Sequence, residues 1–253
     1  MSILVKTVFG DTTFSDNVDK YQLYKRIPGI IDLRESDREI KLTGKFKNLL
    51  DLAKTTGDEI TIKKSYLEYL GQKRGLYILH SAAVYKGENA VLLMGDSFAG
   101  KTQAVISLKE DYKIIADDHI IVKKEADGIF TAGANRIGKT RGVEKFIDFG
   151  PDSLVKKKIV SAVYLKVVDA KVKGNKFFKI DSKDLAYIVW VQISSAITSI
   201  GKYLGDMDKP IPPFDNDLLA KKRIQFSKNF RKIPFYLYEG SISRLEAKMK
   251  TLL

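Results

Sequence analysis

The stretch Ala90-Val91-Leu92-Leu93-Met94-Gly95-Asp96-Ser97-Phe98-Ala99-Gly100-Lys101-Thr102 decides how the rest of the chain is read. Its five leading apolar residues suit a buried strand. Gly95 to Thr102 then match the pattern G-x-x-x-x-G-K-[ST], and QAVISLKE (103–110) continues with helical spacing. In such a loop the glycines let backbone N–H groups turn inward around phosphates, where a Cβ would obstruct the turn. Lys101 is placed to reach the β- and γ-phosphates as a point charge, and the Thr102 hydroxyl to ligate Mg²⁺. The helix beginning here directs its positive end at the same anion. Gly95, Asp96, Ser97, Phe98, Ala99, Gly100, Lys101 and Thr102 are therefore the candidate ATP-binding residues.

Working outward, YILHSAAVY (77–85), KGEN (86–89) and AVLLM (90–94) read as two buried strands joined by a tight turn. Downstream, YKIIADD (112–118) is a further apolar strand ending in two carboxylates, expected to run beside the phosphate-loop strand. This strand–loop–helix–strand order is an α/β nucleotide-binding signature. Phosphoryl transfer needs a metal held against the phosphates and a group to accept the acceptor hydroxyl's proton. Asp117 and Asp118 supply both, one as Mg²⁺ contact and one as base, in either order. The bland reading is an ordinary Asp-Asp turn at a strand end. His80, in the strand before the loop, can donate to anionic oxygens or serve as a core histidine. His119, directly after the aspartates, is expected to point away from the site.

A second match, Gly133-Ala134-Asn135-Arg136-Ile137-Gly138-Lys139-Thr140, has poorer context: GIFTA is a short strand before it, and TRGVEKFIDFG after it makes a poor helix. It reads as a loop over the nucleotide or as coincidence, with the first copy carrying the function.

The segments LHSAAVYKGENAVLLMGDSFAGKT, YKIIADDHIIV and ANRIG, and more loosely IPFYLYEGSISRLEAKM, resemble the HPr kinase/phosphorylase superfamily and its shorter kinase-like relatives. The resemblance runs from about Tyr77 to Gly142. It implies an α/β fold with a P-loop nucleotide-binding core like that of phosphoenolpyruvate carboxykinase: a mixed sheet, flanking helices and a small N-terminal α+β part. Residues 1–70 would form that part and 71–253 the kinase core. It implies ATP- and Mg²⁺-dependent phosphorylation of a Ser or Thr hydroxyl in a peptide or protein. Lys101 and Thr102 would bind ATP–Mg²⁺, Asp117 and Asp118 would act as base and metal contact, His80 would lie near the phosphates, and Arg136 would bind phosphate or substrate. Phe98 stands where the family usually has Gly, and Thr102 where Ser is commoner. Phe98 also supports a different reading, a nucleotide-binding scaffold without turnover.

The remaining chain frames these motifs. Zero Cys excludes disulfides, thiolate metal sites and a cysteine nucleophile, and two His exclude a histidine-rich metal centre. The N-terminus shows no signal-peptide pattern, and the longest apolar run, Leu185 to Ile200, is broken by Gln192. A cytoplasmic protein without a membrane span is expected. Ile60 to Ile62 reads as strand-like, Phe46 to Leu52 as helical, and Ala162 to Ile180 as a strand pair around Lys173-Gly174-Asn175. Lys183 to Tyr203 reads as a helix, Lys209 to Asp217 as a proline-rich connection, and the C-terminus as a strand and a helix capped by Ser241 or Ser243. The net charge of +13 is uneven: residues 151–253 carry 20 basic and 10 acidic groups. KKK (156–158), KVKGNKFFK (171–179) and KKRIQFSKNFRK (221–232) interleave cations with Phe, which supports a second function class, an RNA- or DNA-binding ATPase or a kinase of a nucleic-acid hydroxyl. Solvated strand and helix faces explain the same residues.

Overall fold

The computed structural model describes residues 2–16, 18–19, 22–23, 27–37, 39–40, 42, 59–134, 137–140, 143–148, 156–167, 174–198 and 215–252, with backbone alone for 134, 137–140, 143–148, 196 and 198. Strands β1 (Ser2–Thr7), β2 (Gly10–Ser15) and β3 (Ile30–Ser36) form an antiparallel sheet in the order β2-β1-β3. Helix α1 (Glu59–Lys73) follows, so Ile60 to Ile62 are helical and not strand-like. The β-branched residues there favour a strand locally, but Ile60 and Leu67, seven residues apart on one helix face, pack into the same core, and packing overrides propensity. The expected boundary near residue 70 falls inside this helix. The helical reading of Phe46 to Leu52 lies outside the described residues.

The second part of the chain holds β4 (Leu76–His80), β5 (Ala82–Lys86), β6 (Asn89–Met94), α2 (Lys101–Leu108), β7 (Lys113–Ala116), β8 (His119–Glu125), β9 (Gly128–Ala134), β10 (Ile137–Thr140) and β11 (Val143–Asp148). After these come β12 (Lys158–Val167), β13 (Lys176–Ile180), α3 (Ser182–Thr198), α4 (Asp217–Lys228), a 3₁₀ turn (Asn229–Lys232), β14 (Phe235–Gly240) and α5 (Ile242–Met249). Nine strands make one mixed sheet, ordered β4-β8-β9-β12-β6-β5-β7, with β14 pairing both β12 and β13.

β6 shows why its sequence is a continuous apolar run. Successive side chains alternate sides: Ala90, Leu92 and Met94 enter a core with Val189, Phe226 and Phe230 from α3, α4 and the 3₁₀ turn. Val91 and Leu93 enter the opposite core, with Val105 and Leu108 of α2 and Leu245 and Met249 of α5. A strand covered by helices on both faces has no polar side to show. Each such buried Val or Leu contributes about 1.5–3 kcal/mol. The amino-terminal sheet closes over Ile78 of β4 and Ile121 of β8, sharing a third core with Phe9, Phe14 and Leu67.

Two strand readings change. YILHSAAVY is two strands: β4 pairs with β8, whereas β5 pairs with β6 and β7, the break falling at Ser81. The strands flanking Lys173-Gly174-Asn175 do not pair with each other, because β14 inserts between them, parallel to β12 and antiparallel to β13. Ser241 holds the N-cap position of α5 but makes no side-chain cap bond. No described helix is long and apolar enough to cross a membrane.

A buried polar cluster joins the helices on one face. Arg223 of α4, 3% exposed, donates to Ser194 Oγ (3.3 Å), to Gln72 Oε1 (3.3 Å) and to Asp215. Gln72 in turn donates to the Ile193 carbonyl at 2.8 Å. Arg223→Ala strands Asp215 and Gln72 without their cation and costs about 3 kcal/mol. Chemical denaturation checks this, with Arg231→Ala on the surface expected to shift stability by less than about 0.5 kcal/mol.

Candidate active site

β14, β12, β6 and β7 all run in one direction, with antiparallel β5 between β6 and β7. Their carboxyl ends therefore lie along one edge of the sheet, the side where open α/β sheets bind ligands. The Gly95–Gly100 loop leaves β6 there, and Asp117 and Asp118 leave β7 there. The aspartates do not sit beside the loop strand as expected; they stand one strand further on, across the start of β5.

The aspartates also interrupt a long ladder. His80 pairs with His119 across β4 and β8, and Ala83 pairs with Ala116 across β5 and β7. The two registers are in phase, so continuing either one sets Ser81 opposite Asp118 and Ala82 opposite Asp117. Ser81 is fully buried, and its hydroxyl lies within hydrogen-bond distance of the Ala82 (2.8 Å) and Leu93 (3.2 Å) carbonyls. The break in the ladder is thus tied to β6 just before the loop.

The loop begins with a tight turn in which Ala99 N–H donates to the Asp96 carbonyl at 3.1 Å. Phe98 occupies the third position at φ +69°, the one non-glycine residue with positive φ among those described. A type II turn requires positive φ there and favours Gly. The left-handed conformation costs Phe98 about 1 kcal/mol, and its ring is 95% exposed. The two motif glycines are required sterically. A Cβ on Gly95 would lie 2.9 Å from the Leu165 carbonyl oxygen, and one on Gly100 would lie 2.7 Å from Val167 Cγ2. The loop is thus pressed onto the carboxyl end of β12, where Val167 N–H donates to the Ala99 carbonyl. Gly100→Ala, with φ +89° as well as the clash, is expected to destabilise the protein by about 2 kcal/mol or more. Gly87→Ala, at φ +58° with open space around it, should cost only about 1 kcal/mol, and thermal melts compare the two.

Gly100 caps α2 with no side-chain hydrogen bond, so no side chain occupies the first-turn N–H groups of that helix. Lys101, 6% exposed, folds back to donate to the Gly95 (2.8 Å) and Asp96 (3.0 Å) carbonyls. Burial lowers its pKa, and the charges of Asp118, Asp96 and Asp117 oppose that shift. Tyr164 of β12 sits beside the loop; burial first, then a hydrogen bond with Asp96, raise its pKa.

The two aspartates face different groups. Asp117 is buried, and its Oδ2 accepts from the Thr102 hydroxyl at 3.1 Å. Asp118 is half exposed and is bracketed by two histidines: His80 Nε2 lies 3.0 Å from its Oδ1, and His119 Nδ1 lies 2.9 Å from its Oδ2. Burial raises the Asp118 pKa, but the hydrogen bonds and charges of His119 and His80 together outweigh it and leave the carboxyl well below the usual range. His119 therefore points toward the site, not away from it. No group of three or more His, Cys, Asp or Glu among the described residues forms a metal cage. One carboxylate and one hydroxyl beside the glycine loop would suit Mg²⁺, which keeps several waters and takes its remaining ligands from phosphates when these are bound.

Gln192 is a site residue that motif reading passes over. Its Oε1 accepts from His80 N–H at 3.1 Å and its Nε2 approaches the His80 carbonyl at 3.5 Å, so α3 holds the end of β4 where the ladder breaks. Its signal in the sequence is the polar interruption of the apolar run from Leu185 to Ile200. Arg136 lies outside the described residues. Of the second glycine–lysine motif, Ile137–Thr140 form β10, paired with β11, so Lys139 and Thr140 do not begin a helix.

The basic stretches are partly accounted for by packing. Lys156 pairs with Glu125, Lys157 with Glu88 at 2.9 Å, and Lys158 lies 3.8 Å from Asp127. Phe226 and Phe230 are core residues, Phe226 stacking on Tyr77 at 4.0 Å, so neither ring is available to a nucleobase. Phe178, 46% exposed, is the accessible aromatic of KVKGNKFFK, while Phe177 stacks on Tyr236.

No protein-family model matches the chain, and no curated protein does. Among solved structures, that of the HPr(Ser) kinase/phosphatase from Coxiella burnetii is similar at 15% identity and a TM-score of 0.38, over 69% of this chain and 92% of that one. A likeness at this distance does not specify chemistry.

Proposed function

We propose that this protein is an ATP- and Mg²⁺-dependent kinase that transfers the γ-phosphoryl group to a hydroxyl, that of a Ser or Thr in a peptide or protein. The observation that carries the proposal is the 3.1 Å hydrogen bond from the Thr102 hydroxyl to Asp117, at the mouth of a glycine loop whose helix has no side-chain cap. A loop hydroxyl joined to a strand-end carboxylate is the pair that holds Mg²⁺ in phosphate-loop enzymes. The sequence resemblance of Tyr77 to Gly142 supports the same chemistry.

In this reading the loop N–H groups and Lys101 bind the phosphates, and Thr102 with Asp117 holds the metal. When bound, Mg²⁺ neutralises charge on the phosphate oxygens. Asp118, ionised and accessible, orients the acceptor hydroxyl and takes its proton. Its depressed pKa makes it a weak base. A weak base suffices because the transferring phosphoryl group passes through a loose transition state, and positioning dominates the rate. His80 and His119 hold the Asp118 carboxylate from both sides.

The test is incubation of the purified protein with ATP labelled at the γ-position, Mg²⁺ and separate fractions of peptides, RNA and small metabolites. Label in peptide Ser or Thr supports the proposal. Label in RNA replaces it with the nucleic-acid reading, and ATP binding without transfer to any fraction leaves a scaffold.

A further inference from the structure

A cavity lies at the opposite end of the sheet. β9 and β14 share one edge of β12: β9 pairs only at Lys158, opposite Phe130, and β14 begins pairing at Ala162, opposite Phe235. Between those points neither strand covers β12 on that edge. The gap opens into a cavity of about 310 Å³ whose lining includes Lys124, Asp127, Lys158, Asn229 and Lys232.

Its chemistry is divided. Ile129, Ile159 and Ile233 also line it, each less than 10% exposed, and give an apolar floor. Three ammonium groups stand against one carboxylate, and that carboxylate, Asp127, already lies 3.8 Å from Lys158. Lys124 and Lys232 make no ion pair with any described residue. They come from different elements, the end of β8 and the 3₁₀ turn, so the fold and not a local charge run brings them together. At about 3.3 Å per residue, the cavity is about 17 Å from the candidate active site along β8 and about 30 Å along β12. The phosphate loop therefore does not use it.

We propose that this cavity binds a small organic dianion with a short apolar body, its carboxylates or phosphates meeting Lys124 and Lys232 and its body resting on the three isoleucines. The volume is at the lower end for small-molecule sites, and an apolar floor with a few convergent polar groups is their usual make-up. The proposal stands apart from the kinase reading and is tested without ATP.

The experiment is titration of the ¹⁵N-labelled full chain with isophthalate, followed by amide shifts, with inorganic phosphate and an oligoglutamate peptide as parallel probes. Saturable isophthalate shifts are expected at Gly128, Ile129, Ile159 and Ile233, with affinity at least tenfold above that of phosphate. The double variant Lys124→Glu/Lys232→Glu should weaken isophthalate at least tenfold, whereas Lys221→Glu, an exposed charge off the cavity, should change it less than twofold. The absence of saturable shifts overturns the proposal, as does equal weakening by Lys221→Glu. Phosphate binding as tightly as isophthalate would reduce the site to a general cationic surface. Tighter binding of the peptide would make it a docking face for acidic protein. Either result also overturns the proposal.

Discussion

Lys101→Ala is expected to weaken ATP binding by about 100-fold or more and to remove phosphoryl transfer. Each hydrogen bond from an ammonium to an anionic oxygen contributes about 1.5–3 kcal/mol, and Lys101 is placed to make more than one to the phosphates. A second effect adds to the first. In the structure the ammonium bridges the Gly95 and Asp96 carbonyls, so its removal takes away the clamp that shapes the loop. Lys101→Met retains most of the volume of this buried side chain and so separates loss of the ammonium from loss of packing. It keeps the packing of α2 but not the charge, so it should melt close to wild type and still fail to bind. Calorimetric titration with ATP–Mg²⁺ measures the loss. Lys139→Ala, in strand β10, should leave binding intact. The reverse pattern would transfer the assignment to the second motif.

The aspartates are expected to fail in different ways. Asp118→Asn keeps the shape but cannot take a proton, and loss of a general base lowers turnover by about 10²–10⁴-fold. The Mg²⁺ concentration for half-maximal activity should not change. Asp117→Asn would weaken the metal contact proposed for Asp117 and its hydrogen-bond partner Thr102, so the Mg²⁺ requirement should rise and partial activity should return at high metal. Initial rates measured across a Mg²⁺ series distinguish the two. Full transfer of label by both variants would falsify this mechanism.

Asp118 also links stability to pH. Its folded pKa is depressed, so the unfolded state binds the proton more readily. The stabilisation is complete above the unfolded value of about 3.9 and is lost as pH falls below it. Asp118→Asn should therefore lower stability in the neutral region and flatten the acid limb of a stability–pH curve, the variant and wild-type curves converging as pH falls. An unchanged acid limb would mean that the two histidines do not stabilise the charged form.

Much of this molecule is legible one residue at a time. The Gly95–Thr102 spacing marks the turn, the lysine and the helix start, because those demands are local: inward N–H groups, a compact loop, an uncapped first turn. β6 is legible from its unbroken apolar run, and the hairpin of β8 and β9 from Asp127-Gly128. Ile60 to Ile62 misled, because three β-branched or apolar residues do not show the longer helical face they belong to.

What the local sequence could not reveal depends on pairing at long range. Nothing in YILHSAAVY says that its two halves pair with different strands, since Ser81 reads as an ordinary strand residue and the break shows only where the pairing of β4 with β8 ends at His80 and that of β5 with β7 begins at Ala83. The different surroundings of Asp117 and Asp118 accompany that break, with one carboxylate facing Thr102 and the other facing His80 and His119. Gln192 and the cavity beside Lys124 and Lys232 are likewise products of packing. They join residues distant along the chain, and no local spacing records which strand will cover which edge. The sequence alone determined a phosphate-type loop and two carboxylates at a strand end. The tertiary structure decided what each carboxylate faces, because sheet order and register are set by burial of both faces at once.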